Sequence, residues 1–391
     1  MKNTLFLFLV CLLCEASSLF GGLTCFPRRP LGCGTGEVSA WGYADYLYLW
    51  RKHRFIPPLV TTSPDGTPVN SAGVLGASTT SILFGNEKIT KNPCSGGRVA
   101  LGIWLNRAKC LGFGGTYFNA GVEKKKFENA SNIAGSPTLA RPYFDVVADA
   151  QEALLVAFPS LFAGSIKVEV TNSISGADVY ASHRIHNARC VGIDLFVGYT
   201  YSEIDDSVGI SSNSTNILFI DPNFETQTLM NDHFDCHNQF QAALVGGTLQ
   251  AYIKYFAFYG AAKFGFGNMC QTIDISGDTN TIIPLNAGVI TPGGLLALPT
   301  NIERHRRHRF CVMQNYEIKG VYSPWRHLGL TLGYTFYWWN RILLAGDQID
   351  LNLNTSQQRG NPLVGEASPL VDLKDGFFWI HGITAGIRVC F

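Results

Sequence analysis

Six consecutive side chains that can carry positive charge, Arg304, His305, Arg306, Arg307, His308 and Arg309, are the most chemically suggestive run in this chain. Guanidinium groups bind phosphates and carboxylates through charge-assisted hydrogen bonds. The run could therefore form a cationic loop mouth for anionic solutes or for lipopolysaccharide phosphates. The plainer reading, a solvated loop balanced by Glu303 and other carboxylates, carries more weight. His305 and His308 stand at i, i+3, but no nearby carboxylate or cysteine completes a convincing metal set. Asp347 and Asp350 in GDQID supply too few oxygens for calcium, and a loop folded back into a mouth suits them better. Gly32, Gly34 and Gly36 imitate a dinucleotide-binding turn without the strand and helix that turn requires. No GxSxG occurs, and the histidines cluster away from any marked serine. The expectation is a protein with no catalytic group, no cofactor and no metal, hence not an enzyme.

The cysteines point to a compartment. Eleven are present, two of them inside residues 1–18. That segment has a positive Lys2, a nine-residue apolar stretch from Leu5 to Leu13, and small Ala16 and Ser18, which together read as a cleaved secretory signal. A lipoprotein signal built on Cys14 is the weaker rival. Nine cysteines remain, and none of the nine forms CxxC. An oxidising compartment permits bridges, and the odd count leaves one thiol for a neighbouring envelope protein. Cys110, Cys190 and Cys390 are expected at periplasmic strand ends, with Cys25 and Cys33 in an N-terminal segment on the same side. Cys94, Cys236, Cys270 and Cys311 are expected nearer the outer loops, so bridges should form within each group.

The elements that would position these residues are strands. Charged residues make up only 15% of the chain and the net charge is +1, which argues against a nucleic-acid partner. No stretch beyond the signal is long and apolar enough for a transmembrane helix. Instead, period-two alternation recurs. Leu328, Leu330, Leu332, Tyr334, Phe336 and Trp338 share one face, and Gly329, Thr331, Gly333 and Thr335 the other. Comparable patterns occupy 99–105, 166–171, 191–202, 316–319 and 46–50. At the C-terminus, Ile383, Ala385, Ile387, Val389 and Phe391 alternate with polar and small residues. The terminal Phe391 reads as the signal used by the outer-membrane assembly machinery. A neutral small face opposite an apolar, aromatic-tipped face is the pattern of a lipid-facing barrel strand.

The fold expected is all-β: a closed antiparallel transmembrane β-barrel of about 10 strands, with 12 as the alternative. The strands fall at 40–50, 96–106, 110–119, 165–186, 190–204, 233–247, 255–268, 309–322, 327–339 and 376–391. Short periplasmic turns alternate with long extracellular loops. The polar centre of 165–186 is read as a bulge or a turn, and 143–158 could hide a further strand. Residues 1–18 form the signal, 19–39 a periplasmic segment and 40–391 the barrel. Arg98, Lys167, Glu169, Asp194, Lys263, Glu317, Lys319 and Arg388 are expected to face the lumen. Both signs are present, which suits a weakly selective pore or a lumen filled by interior salt bridges. Outer-membrane lipid and lipopolysaccharide surround such a barrel.

Short motifs along almost the whole mature chain add a second line. They are LVTTS at 59–63, GVLG at 73–76, ILFG at 82–85, SGGR at 95–98 and LARPYF at 139–144. FVGYTY at 196–201, NQF at 238–240, GGLLALPTNI at 293–302 and GDQID at 346–350 follow in order. In these the chain resembles the seventh family of bacterial β-barrel porins. The cysteine content and the basic run at 304–309 depart from that pattern. The resemblance implies an outer-membrane barrel of porin type and carries no catalytic residues. The function expected is a narrow, weakly selective channel for small solutes. The alternative is a structural or surface-interaction protein with a closed lumen, cross-linked through cysteines.

Overall fold

The computed structural model describes residues 38–89, 93–105, 110–187, 190–284, 288–325 and 327–391. The signal, most of the N-terminal segment, Cys25, Cys33 and Gly32, Gly34 and Gly36 lie outside those residues. Among the described residues ten long strands form one ring. They are β1 (Ser39–Arg51), β2 (Cys94–Trp104), β3 (Leu111–Ala130), β4 (Phe162–Asn187), β5 (Val191–Asn216), β6 (Gln227–Ile253), β7 (Phe256–Ile282), β8 (Arg304–Tyr322), β9 (Leu328–Leu343) and β10 (Asp375–Cys390). Each pairs antiparallel with its neighbours in sequence. β1 also pairs with β10, Trp41 opposite Cys390. The even count puts both ends of the ring on the side of the short turns, and Phe391 extends the β1 pairing through two backbone hydrogen bonds with Ala40.

Two expectations are corrected here. Ten ring strands replace the twelve-strand alternative: residues 143–158 do contain strand, within Leu139–Asp145 and Ala150–Ala157, but these pair with each other and not with the ring. The central strands are also far longer than a bilayer crossing requires. β6 and β7 run 27 residues each, where about 9–11 tilted residues suffice. The loop expected over 205–232 shrinks to residues 217–226, and the turn after β6 is Lys254–Tyr255 with Lys254 at φ 51°. Residues 165–186 stay in one strand. The irregularity lies opposite their polar centre, on β3, where Gly121 adopts φ 72° and forms a bulge that glycine accommodates without a Cβ clash.

The long strands carry two opposite polarities. In their lower parts the outward side chains are apolar, as with Leu101, Val179, Leu195, Val197, Phe266, Leu332 and Ile387, all exposed. The inward ones are polar. Above this belt the sense reverses. On β4 the buried Ile166, Val168 and Val170 point inward while Lys167, Glu169 and Thr171 face out. The parity of inward residues is constant along the strand, and only the chemistry of the two faces exchanges.

What the apolar inner face covers is a plug made by the long connections. Parts of them turn inward, within residues 54–84, 139–157, 293–302 and 344–354, while 289–292 pairs with the end of β7 and extends the ring. The inward parts contribute a small sheet in the order Asn352–Leu353, Leu139–Asp145, Val60–Thr62 and Ser81–Phe84. Leu59, Phe84, Leu139, Tyr143, Leu295, Leu298, Ile349 and Leu353 pack with Ile166, Val170, Val208, Phe234 and Ile275 of the wall in one buried cluster.

Candidate functional site

Three layers fill the ring from the turn side upward. The lowest is ionic. Asp45 on β1 accepts from Arg98 Nη2 and from Lys319 Nζ, both at 2.8 Å, and from the Thr331 hydroxyl at 3.0 Å. Glu317 bridges the same two cations at 2.8 and 3.0 Å. Across the lumen Lys263 donates to Asp178 at 2.7 Å, with Thr200 adding a second hydrogen bond to that carboxylate. Arg184 grips Asp194, which also accepts from Thr248 and Gln250. Aromatic faces cover the cations: Lys319 lies 4.3 Å from the Tyr43 ring centroid, Arg388 4.6 Å from Tyr259 and Arg184 4.9 Å from Trp104. Each buried charge here has a partner, as burial demands.

Glycines in this layer are clefts for rings, so they do not leave open space. A Cβ on Gly102 would lie 2.2 Å from the Trp41 ring, and one on Gly114 2.7 Å from Tyr180. Gly333 likewise packs against Thr384 of β10. The middle layer is apolar. Leu47, Leu49, Phe118, Phe196, Ile204, Phe240, Met269, Met313, Tyr337, Trp339 and Phe378 converge from all around the wall. Phe118 stacks on Tyr337, and Tyr337 on Trp339.

Above it sit the contacts that fasten the plug. Arg51, at the top of β1, donates to the carbonyls of Asn172, Ala120 and Gly121 and so clamps the β3 bulge. Arg54, in the first plug segment, pairs with Asp206 and, at 3.0 Å, with Glu123. Asp206 also receives the backbone N–H of Ala345 at 2.8 Å. Arg141 pairs with Asp232, whose other oxygen accepts the N–H groups of Leu296 and Ala297 at 2.9 and 2.7 Å. Asn238 reaches the carbonyl and N–H of Leu343.

The eight residues expected in the lumen divide. Arg98, Asp194, Lys263, Glu317, Lys319 and Arg388 are inward and come together in the lowest layer. Lys167 and Glu169 are corrected: they stand on the outer wall, where Glu169 pairs with Lys124. The alternation at 166–171 was assigned the wrong face because its apolar side meets the plug. The basic run is corrected too. It lies on β8, paired with β7, and is no loop. GDQID does fold back into the mouth. Ala345–Gln348 is a short 3-10 helix against Asp206, and Asp350 is occupied by Asn352. Sequence reasoning missed Arg54, Arg141, Asp206 and Asp232. Their one sequence signal is that Arg141 falls inside LARPYF, a motif that carries the family resemblance.

Cys94, Cys236, Cys270 and Cys311 are free thiols, so the bridges expected within the outer group are absent. Among the described residues no group of three His, Cys, Asp or Glu could hold a metal.

Residues 41–391 match the protein family described as "Putative beta barrel porin-7 (BBP7)". No protein with a curated description matches the sequence. Solved structures with a similar course include the outer membrane protease OmpT from Escherichia coli, with 10% identity, 92% of this chain and 99% of that chain covered, and a TM-score of 0.42. The P. putida toluene transporter TodX aligns at 9% identity over 92% of each chain with a TM-score of 0.19. A Pseudomonas aeruginosa FadL homologue aligns at 8% identity over 95% of each, with a TM-score of 0.26.

Proposed function

Starting from the fact that the chain belongs to the beta barrel porin-7 family, we propose that it is a narrow, weakly selective outer-membrane channel for small solutes, closed by its own plug. The outward apolar belt spans the bilayer, and the polar-walled extensions of β3 to β8 stand outside the cell. The observation that carries the reading is the near balance of inward charges in the lowest layer. Arg98, Arg184, Lys263, Lys319 and Arg388 face Asp45, Asp178, Asp194 and Glu317. Five cations against four carboxylates give little reason to prefer either ion sign. Burying charges of both signs is costly in a ring that only has to hold itself together.

A second reading rests on the filling itself. Three successive layers occupy the ring, as in small barrels whose interiors are packed with side chains. On that reading the protein is a structural or surface-interaction component, cross-linked to envelope neighbours through its cysteines.

Planar-bilayer recording on the purified chain separates the two. The channel reading expects brief small openings in the native protein and larger steps when the plug contacts of Asp206 and Asp232 are removed. Silence in both, with correctly folded protein, leaves the structural reading.

A further inference from the structure

The basic run gains a different meaning once it lies on β8. Side chains alternate, so Arg304, Arg306, His308 and Phe310 point outward from the wall. Arg304, His308 and Phe310 are exposed, and Phe310 strongly so at 66%. Phe310 and its neighbour Phe266 on β7 end the apolar belt, and the cations begin one step above. Only part of this charge is neutralised by carboxylates. Arg304 pairs with Asp274 at 2.6 Å. Arg306, however, donates to the Cys270 sulfur at 2.9 Å, and His308 contacts the Asn268 amide at 2.9 Å, both neutral partners. Arg341 on β9 shares Asp375 with Arg307, at 3.4 and 3.1 Å. Two and three strands away at the same height, the outer wall carries Glu203, Asp205 and Asp235 on β5 and β6.

We infer that the outward face of β8, with Arg341 of β9, is a binding site for the phosphate-bearing headgroup of an outer-leaflet lipid. The inference rests on the bilayer placement proposed above. A cationic strip directly over exposed phenyl rings fits an occupant that is anionic at one end and apolar below it. That combination selects an amphiphile over a free anion or a soluble acidic chain. Guanidinium groups supply the forked donors that phosphate oxygens accept, and exposed aromatic rings at the end of the belt seat the upper acyl carbons.

The test uses the full-length barrel purified in detergent. Binding of bis-phosphorylated lipid A, of its dephosphorylated counterpart and of inorganic phosphate is followed by native mass spectrometry. The phosphorylated lipid should bind, the dephosphorylated one about tenfold more weakly, and inorganic phosphate at equal concentration should not displace it. Arg306→Ala with His308→Ala should weaken lipid binding about tenfold, whereas Lys124→Ala with Lys126→Ala on β3 should leave it unchanged. If the β8 variant fails to fold, the comparison of the two lipids on native protein decides. Equal binding of the two lipids, displacement by free phosphate, or full binding by a folded β8 variant would each overturn the site. These outcomes do not depend on conductance, so a silent channel and a missing lipid site are told apart.

Discussion

Asp206 and Asp232 stand on the inner faces of the adjacent strands β5 and β6, and between them they hold all four inserted segments. Asp206 takes Arg54 from the first segment and the Ala345 N–H from the last. Asp232 takes Arg141 from the second and the Leu296 and Ala297 N–H groups from the third. Removing one partner of a buried, hydrogen-bonded ion pair costs about 3–5 kcal/mol, because the other charge is left stranded. Asp206→Asn with Asp232→Asn should therefore loosen the plug while the ring persists. Limited proteolysis of outer-membrane preparations should then cut within residues 52–93 or 344–374, which the native protein resists. Equal resistance would mean that apolar packing alone retains the plug.

The lowest layer predicts a selectivity change. Glu317→Gln removes one of four carboxylates and leaves Arg98 and Lys319 sharing Asp45. In a conducting form this should move the reversal potential in a salt gradient towards anions. Lys263→Met should move it towards cations, since Lys263 is the partner of Asp178. Identical reversal potentials for the two variants would place these charges outside the conducting path.

Asp347 gives a pH dependence. Burial pushes its carboxyl above the usual range and Asp206 adds to the rise, while Lys52 and Lys374 oppose it. A carboxyl raised in the folded state favours the fold most when protonated. Its contribution is complete below the unfolded value and is lost as pH rises through the folded one. Asp347→Asn copies the protonated form. It should raise the unfolding midpoint at pH about 7 and leave it unchanged at pH about 3. A variant less stable at neutral pH would show that the charged form makes a contact worth more than its burial.

The buried thiol of Cys236 should be inert. It is almost fully enclosed, and burial drives its ionisation well above the ordinary thiol range. The thiolate is the reactive species. A maleimide applied to the folded protein should reach half-buried Cys94 first and Cys236 only after denaturation, as mass spectrometry of alkylated peptides would show. Rapid modification of Cys236 without unfolding would indicate that the plug opens spontaneously.

How much of this was readable beforehand follows from one rule and its failure. Alternation located strands such as 46–50 and 328–338, and where one face met lipid-like exposure it gave the orientation: Tyr46, Tyr48 and Trp50 point out, and Leu47 and Leu49 in. On β4 the same rule inverted the upper half. Ile166 and Val168 look as lipid-facing as Val179, yet they sit on the opposite face. A single strand records only that one face is apolar. Whether that apolar face meets lipid or a packed interior depends on segments more than a hundred residues away, such as Leu59 and Leu298. The plug itself was foreshadowed by composition and not by pattern. LVTTS and GGLLALPTNI carry no charge where exposed loops would be charged, and both lie in the inserted segments. Arg54 and Arg141 could not be found that way, since an arginine in a loop is ordinarily at the surface.

The four inserted segments also impose an order of events on the nascent chain. Arg54 precedes its anchor Asp206 by 152 positions, and Ala345 follows it by 139. The interior therefore cannot be completed until the last hairpin has arrived, however early the first segment is made. Contacts of such long range form late and slowly, because each closes a large loop before it is rewarded. An unfinished ring would expose the inward faces of Ile166, Val208 and Phe234 as a sticky trough. Escort during transit is then a requirement set by topology, and a truncated chain lacking residues 344–391 should aggregate rather than form a smaller barrel.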